Sequence, residues 1–195
     1  MGTAPGTLVL VVGPSGVGKD SLIDGARAAL AGDPLFVFVR RVITRPADAG
    51  GEDHQAVTPD GFERLRAAGA FALCWFAHDL AYGLPASMEG DIAAGRTVIA
   101  NVSRAVVDEA RRRFPHVRTI HVTAPAERLA ERLRARGRED AAGIAKRLAR
   151  AAEPGPTGDD VVEFSNAGAL DAEIARFTAL VRDLGAAVDP VAVAP

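Results

Sequence analysis

Apolar and polar positions alternate along the chain between two kinds of run. Residues 7–12 form a short apolar block between Gly6 and Gly13, the pattern of a strand buried on both faces. Residues 21–31 carry apolar side chains at helical spacing and end near Gly32 and Pro34. Residues 35–39 read as a strand, and 59–68 as a short helix stopped by Gly69. Residues 71–75 read as a short strand, followed by a turn at Tyr82 and Gly83. The stretch 85–94 has Pro85 at its start and Gly95 after its end, the punctuation of a helix. Residues 97–101 are a continuous apolar strand. Ser103 can cap a helix that runs to Phe114, before Pro115 stops it. Beyond it the pattern predicts a strand over 117–122 and a strongly charged helix over 125–136. Gly137 breaks the pattern, and a second helical stretch runs to Glu153. A strand over 161–164 and a helix over 170–184 complete the series.

Apart from 71–75, five strand-like runs alternating with helices predict an α/β fold with a mostly parallel sheet. Two stretches interrupt the alternation. The segment 44–84 begins in a polar run rich in Gly, Asp and Pro, and reads as an insertion into a core of 7–43 and 85–185. The Arg-rich stretch 128–150 reads as a mobile helical hairpin. The tail 186–195, with Pro190 and Pro195, reads as loose. A chain of 195 residues, 48% of them apolar, suits one domain with a proper core.

Charge narrows the partners. Lys plus Arg is 23 and Asp plus Glu is 25, a net charge of −2, which argues against a protein held to nucleic acid by a broad basic field. The lone Cys74 allows no internal disulfide. No apolar run approaches the roughly 18 residues of a membrane span, and no basic segment precedes the first apolar block. A cytoplasmic protein, monomeric or homodimeric, without a membrane or nucleic-acid partner, is the expectation. The 23 cations divide unevenly into 21 Arg and 2 Lys, Lys19 and Lys146. Arg presents a planar fork that grips phosphate by two hydrogen bonds, so the places where arginines gather matter.

The strongest chemical signal is Gly13-Pro14-Ser15-Gly16-Val17-Gly18-Lys19, which follows a predicted strand and opens a predicted helix. That context is what a phosphate-binding loop of the form G-x-x-x-x-G-K requires. Its glycines let the backbone wrap and turn N–H groups inward, and the helix directs its positive end at the phosphates. The residue after Lys19 is ordinarily Ser or Thr; here it is Asp20, with Ser21 next. Aspartate is a hard oxygen ligand for Mg²⁺, so Asp20 and Ser21 are the candidate metal ligands. An N-K-x-D base-reading motif, usual in a GTPase, is absent.

A kinase also needs an anion site for its acceptor and a lid. Arg40, Arg41, Thr44 and Arg45 lie within six residues, a set suited to a phosphorylated acceptor. Arg128, Arg132, Arg134, Arg136 and Arg138 decorate one helix and its end, with Glu127 and Glu131 as surface partners. Arg136, Arg138 and Arg147 flank the break at Gly137, as lid arginines would. Cys74, between Leu73 and Trp75, suits packing better than nucleophilic work.

Taken in order with the 13–19 loop, Thr44-Arg45-Pro46, Gly51-Glu52, Tyr82-Gly83, Arg132-Leu133 and Arg136-Gly137-Arg138 resemble the guanylate-kinase-like branch of the P-loop kinases over about residues 7–185. The resemblance implies a nucleoside-monophosphate-kinase-like fold. A five-stranded core sheet would be flanked by helices, with 44–84 as an acceptor-binding insertion and 128–150 as the lid. The departures are informative. The family's guanine-reading Glu falls at Leu73, and leucine accepts no hydrogen bond. The Ser before the Thr-Arg motif falls at Arg41, a phosphate-contacting Tyr at His54, and the strand-ending Asp at Asn101.

Within that branch, Gly-Lys-Asp-Ser-Leu (18–22), Arg-x-Ile-Thr-Arg-Pro (41–46), Gly-Glu-Asp-His (51–54) and Asn-Val-Ser-Arg (101–104) resemble the ribose 1,5-bisphosphate phosphokinase family of phosphonate degradation. That resemblance implies transfer of the γ-phosphoryl group of ATP, with Mg²⁺, to the 1-phosphate of a small sugar phosphate, ribose 1,5-bisphosphate, to give 5-phosphoribosyl 1-diphosphate. Residues 13–21 would bind ATP, with Lys19 at the β- and γ-phosphates. Arg41, Thr44 and Arg45 would hold acceptor phosphates, with a Tyr82 contact or a packing role for Tyr82. Glu52, His54 and Asn101 could bind ribose hydroxyls, and an exposed loop position is the other reading of His54. Arg132, Arg138 and Arg147 would close over the transferring group. The alternatives are a guanylate or other nucleoside monophosphate kinase, and a catalytically inactive interaction module of the guanylate-kinase type.

Overall fold

The computed structural model describes residues 4–49, 52–136 and 141–186. In chain order the elements are β1 (Leu8–Val12), α1 (Lys19–Ala29), β2 (Phe36–Phe38), β3 (Val42–Ile43), β4 (Gln55–Ala56), α2 (Pro59–Ala67), β5 (Phe71–Ala77) and β6 (Leu80–Pro85). They continue with α3 (Met88–Ala93), β7 (Thr97–Asn101), a 3₁₀ turn (Arg104–Val106), α4 (Val107–Arg113), β8 (Val117–Thr123), α5 (Ala126–Arg136), α6 (Ala141–Ala151), β9 (Val161–Ser165) and α7 (Leu170–Ala186).

The expected α/β architecture is present. Five strands form a wholly parallel sheet in the order β2-β7-β1-β8-β9, with β1 in the centre. Every residue of β1 is buried, because helices cover both faces. Leu8, Leu10 and Val12 face a core shared with α3 and α4, while Val9 and Val11 face Leu22 and Ala26 of α1 and Phe177 and Val181 of α7. The loops at the carboxyl ends of β1 and β7 therefore open on one rim, where open parallel sheets bind ligands.

A second, four-stranded sheet in the order β4-β3-β6-β5 is built from 42–85. Here the structure corrects the local reading. Tyr82 and Gly83 do not turn the chain; they lie inside β6, paired with Trp75 and Cys74 of β5. The turn falls at His78 and Asp79, both left-handed at φ 52° and 61°. Gly83 is a packing residue, since a Cβ there would stand 2.5 Å from Phe71 Cδ1. Pro85 closes β6 rather than starting a helix, and the Ala86 amide still bonds the Ala70 carbonyl at 2.8 Å, so α3 begins only at Met88. The polar run that opens the 44–84 segment leads into the short strand β4. The tail beyond 186 and Arg138 lie outside the described residues. Among those described, no helix is long and apolar enough to cross a membrane.

Candidate active site

The 13–19 loop leaves β1 and enters α1 through Gly18, at φ 101°. Glycine is required here twice over: the left-handed φ is strained for other residues, and a Cβ would meet Asn166 Nδ2 at 2.5 Å. Gly13 is equally constrained, its missing Cβ being 2.3 Å from the Val122 carbonyl oxygen. No side chain caps α1, so its first amides are left for an anion. Lys19 Nζ donates to the carbonyls of Gly13 at 2.6 Å and Pro14 at 3.0 Å, over the rim of the loop. Behind the loop, the Val17 carbonyl accepts from Asn166 Nδ2 at 2.7 Å and from Arg132 at 3.0 Å.

Asp20 follows Lys19 into the same rim. Its Oδ1 accepts from Asn101 Nδ2 at 2.8 Å, at the end of β7. Ser21 is exposed on α1 and stands apart from the rim. Arg147 of α6 reaches across to donate to the Ser15 hydroxyl.

Opposite the loop, the four-stranded sheet presents a charged wall. Arg41, 9% exposed, forms a fork-to-carboxylate pair with Glu52, with Nε to Oε2 at 2.9 Å. Its guanidinium lies 5.1 Å from the Tyr82 ring and 5.9 Å from the Trp75 ring, and those two rings stack with centroids 5.3 Å apart and planes at 4°. Burial pushes the Tyr82 hydroxyl up from its ordinary value, and the Arg41 charge partly opposes that shift. Arg45 lies beside His54, and its Nε is buried without a partner.

Loop and wall enclose a cavity of about 640 Å³. Lys19, Asp20, Arg41, Arg45, Glu52, Tyr82, Asn101 and Arg147 line it, as the sequence reading brought together. Thr44 and His54 do not. The Thr44 hydroxyl accepts from the Ala81 amide at 2.8 Å, tying β3 to β6. His54 is 5% exposed, with its ring nitrogens 3.0 Å from the Glu52 and Arg45 carbonyls, so it clasps the two ends of the 45–52 loop. Leu73, at the guanine-reading position, is buried in the core and paired with Leu84. Arg132 instead lines a second hollow of about 420 Å³ with Arg128, Glu131 and residues 167–169.

No family model matches the chain. It is 54% identical over 164 residues to the ribose 1,5-bisphosphate phosphokinase PhnN of Rhodopseudomonas palustris, covering 84% of this chain and 82% of that protein. The chain belongs to the ribose 1,5-bisphosphate phosphokinase family. A second member of that phosphokinase family, from Acidiphilium cryptum, is 57% identical over 149 residues, 76% of this chain and 79% of its own. Longer relatives exist. A bifunctional ribose 1,5-bisphosphokinase-thymidine phosphorylase of Cupriavidus necator is 50% identical over 179 residues, 92% of this chain, but the chain spans only 30% of its length. Among solved structures, a guanylate kinase from Anaplasma phagocytophilum superposes with a TM-score of 0.63 at 20% identity, covering 95% of this chain and 89% of that one. That likeness establishes the fold.

Several residues of the cavity lie outside the motifs that the sequence singles out. Seven Lys or Arg side chains and three carboxylates line the cavity, so it is locally cationic in a chain of net charge −2. Arg104, Lys146 and Arg150 account for the difference. Lys146 and Arg150 sit one helical turn apart on α6, a spacing that could have flagged them. Trp75 was read only as a neighbour of Cys74, though strand alternation sets it on the face of Leu73.

His121 on β8 lies behind the loop, where a Cβ on Gly155 would stand 2.2 Å from its ring. Burial lowers its proton affinity below the ordinary value of 6.5; Glu163 opposes this, while Arg104 and Lys19 add to it. The folded state therefore binds fewer protons than the unfolded chain. This contribution to stability is intact above 6.5 and is lost as pH falls from there toward the lowered folded value. Melting temperatures measured from about pH 7 to about pH 5 should fall less for His121→Gln than for the parent. Equal losses would remove His121 as a source of acid sensitivity.

Proposed function

We propose that the chain transfers the γ-phosphoryl group of ATP to the 1-phosphate of ribose 1,5-bisphosphate, giving 5-phosphoribosyl 1-diphosphate and ADP. One observation carries this reading: a single cavity joins a complete phosphate loop to an Arg-rich wall, with leucine buried where a base reader would stand. An acceptor that is mostly phosphate matches a cationic cavity of this kind.

Phosphoryl transfer between two phosphates needs no strong general base, because the attacking oxygen is already anionic near neutral pH. An oxygen of the acceptor 1-phosphate forms a bond to Pγ. The bond from Pγ to the β–γ bridging oxygen breaks, and its electron pair leaves with ADP. The work of the protein is alignment and charge stabilisation. The loop amides and Lys19 hold the donor phosphates. Arg45 and the Arg41–Glu52 pair receive the acceptor, with Tyr82 packed beneath Arg41. Lys146 and Arg147 face the transferring group from α6. In this reading the four-stranded sheet is the acceptor-binding unit and α5 with α6 forms the lid.

The chemistry of the donor set also suits Mg²⁺. Among the described residues no three acidic, His or Cys side chains gather, so Asp20 would supply one carboxylate, with ATP phosphates and water as the remaining ligands, the arrangement Mg²⁺ usually adopts. When bound, the ion neutralises charge on the β- and γ-phosphates.

The deciding experiment measures ADP release with ribose 1,5-bisphosphate, GMP and other nucleoside monophosphates as acceptors. Ribose 1,5-bisphosphate should be turned over at least about 10²-fold more efficiently, since a site without a base reader gains little from a base. Faster turnover of GMP would overturn the reading. Turnover of none, with ATP still unbound at millimolar concentration, would indicate an inactive module.

A further inference from the structure

The guanidinium of Arg104, at the start of the 3₁₀ turn after β7, reaches into the root of α6. Nη1 donates to the Pro154 carbonyl at 2.9 Å and the Glu153 carbonyl at 3.1 Å. Nη2 donates to the Glu153 carboxylate at 2.9 Å and the Arg150 carbonyl at 3.4 Å. Each terminal nitrogen of arginine carries two hydrogens, so four donors meet four acceptors and only Nε is left over. Although Arg104 lines the cavity, its fork is already spent on protein and is not offered to a phosphate.

The carbonyls it gathers belong to the last turn of α6 and the chain just beyond. Those groups have no partner within a helix, and a cation there also complements the helix dipole. The same segment is seated a second time, by Gly155 against the His121 ring, which only glycine permits. From this fixed root α6 carries Lys146, Arg147 and Arg150 over the phosphate loop, where Arg147 meets Ser15. Asn101, three residues before Arg104, bonds Asp20. The short segment 101–104 thus touches the phosphate loop at one end and the root of α6 at the other.

We infer that Arg104 is a positioning residue for phosphoryl transfer: it fixes the root of α6 so that the α6 cations stand over the transferring group. This rests on the reading of the cavity as the transfer site. Arg104→Met keeps the aliphatic stem and removes the fork. It should lower kcat by about 10²-fold, the scale of an ångström-sized misplacement, while the KM for ribose 1,5-bisphosphate changes less than about threefold. Arg104→Lys, with three donors on one nitrogen, should recover part of kcat. A second readout needs no substrate: hydrogen exchange of amides 142–151 should quicken in Arg104→Met, with those of β1 and β8 unchanged. A variant whose KM rises while kcat holds would make Arg104 an acceptor ligand and overturn the inference. So would unchanged exchange in α6. If the parent protein does not turn over ribose 1,5-bisphosphate, the functional reading fails, and the exchange experiment still tests the anchor.

Discussion

Lys19→Met should lower turnover by on the order of 10³-fold, the scale of removing one preorganised cation or donor from a transition state. Charge on the transferring group is spread over its three equatorial oxygens. A lost ammonium there has no ready substitute. In the proposed reading the arginines of the wall serve the acceptor, Arg41 from its pair with Glu52 and Arg45 from beside His54, and not the donor phosphates that Lys19 holds. The substitution removes two bonds that Lys19 makes to the Gly13 and Pro14 carbonyls, both at a half-open rim and free to take water. The fold should therefore survive, and an unchanged melting temperature would separate lost chemistry from lost structure. Single-turnover measurement at saturating ATP is the test. A variant within about tenfold of the parent would remove Lys19 from phosphoryl transfer.

The second large effect concerns Asp20 and Asn101. P-loop enzymes ordinarily hold Mg²⁺ with a hydroxyl after the loop Lys and an Asp from a neighbouring strand. Here the carboxylate stands on the loop and an amide on the strand, 2.8 Å apart. The amide donates to one carboxylate oxygen and leaves the other for the cavity. Asp20→Ser should weaken Mn²⁺ binding in the presence of ATP by at least about 10- to 100-fold, read by electron paramagnetic resonance. Asn101→Asp alone sets two carboxylates at hydrogen-bond distance, which disfavours ionising both. The double variant D20S/N101D restores one hydroxyl and one carboxylate. It should recover Mn²⁺ affinity to within about tenfold of the parent, more than either single change predicts. A double variant no better than D20S would show that the carboxylate works only from the loop.

What the sequence could reveal followed from how local each cause is. The parallel core was legible because β1 is buried on both faces, and two-sided burial leaves an unbroken apolar run. The phosphate loop was legible because its glycines answer to backbone needs within seven residues. The turn in the 42–85 sheet is hard to place from sequence because Gly83 serves a long-range contact with Phe71, while the real turn uses His78 and Asp79, a left-handed pair with no glycine to announce it. Arg104 was hidden for a related reason. It belonged to a motif, but its partners lie 46–50 residues later, where no local pattern points back to it.

Trp75 is the only tryptophan in the chain, and it stands in the cavity wall, stacked on Tyr82 and beneath the Arg41 guanidinium. Its indole emission therefore comes from this cavity wall alone. In the proposed reading, an anion that draws Arg41 off the ring face would change the charge over the only indole, so the emission would serve as an optical gauge of acceptor occupancy, with no label to attach.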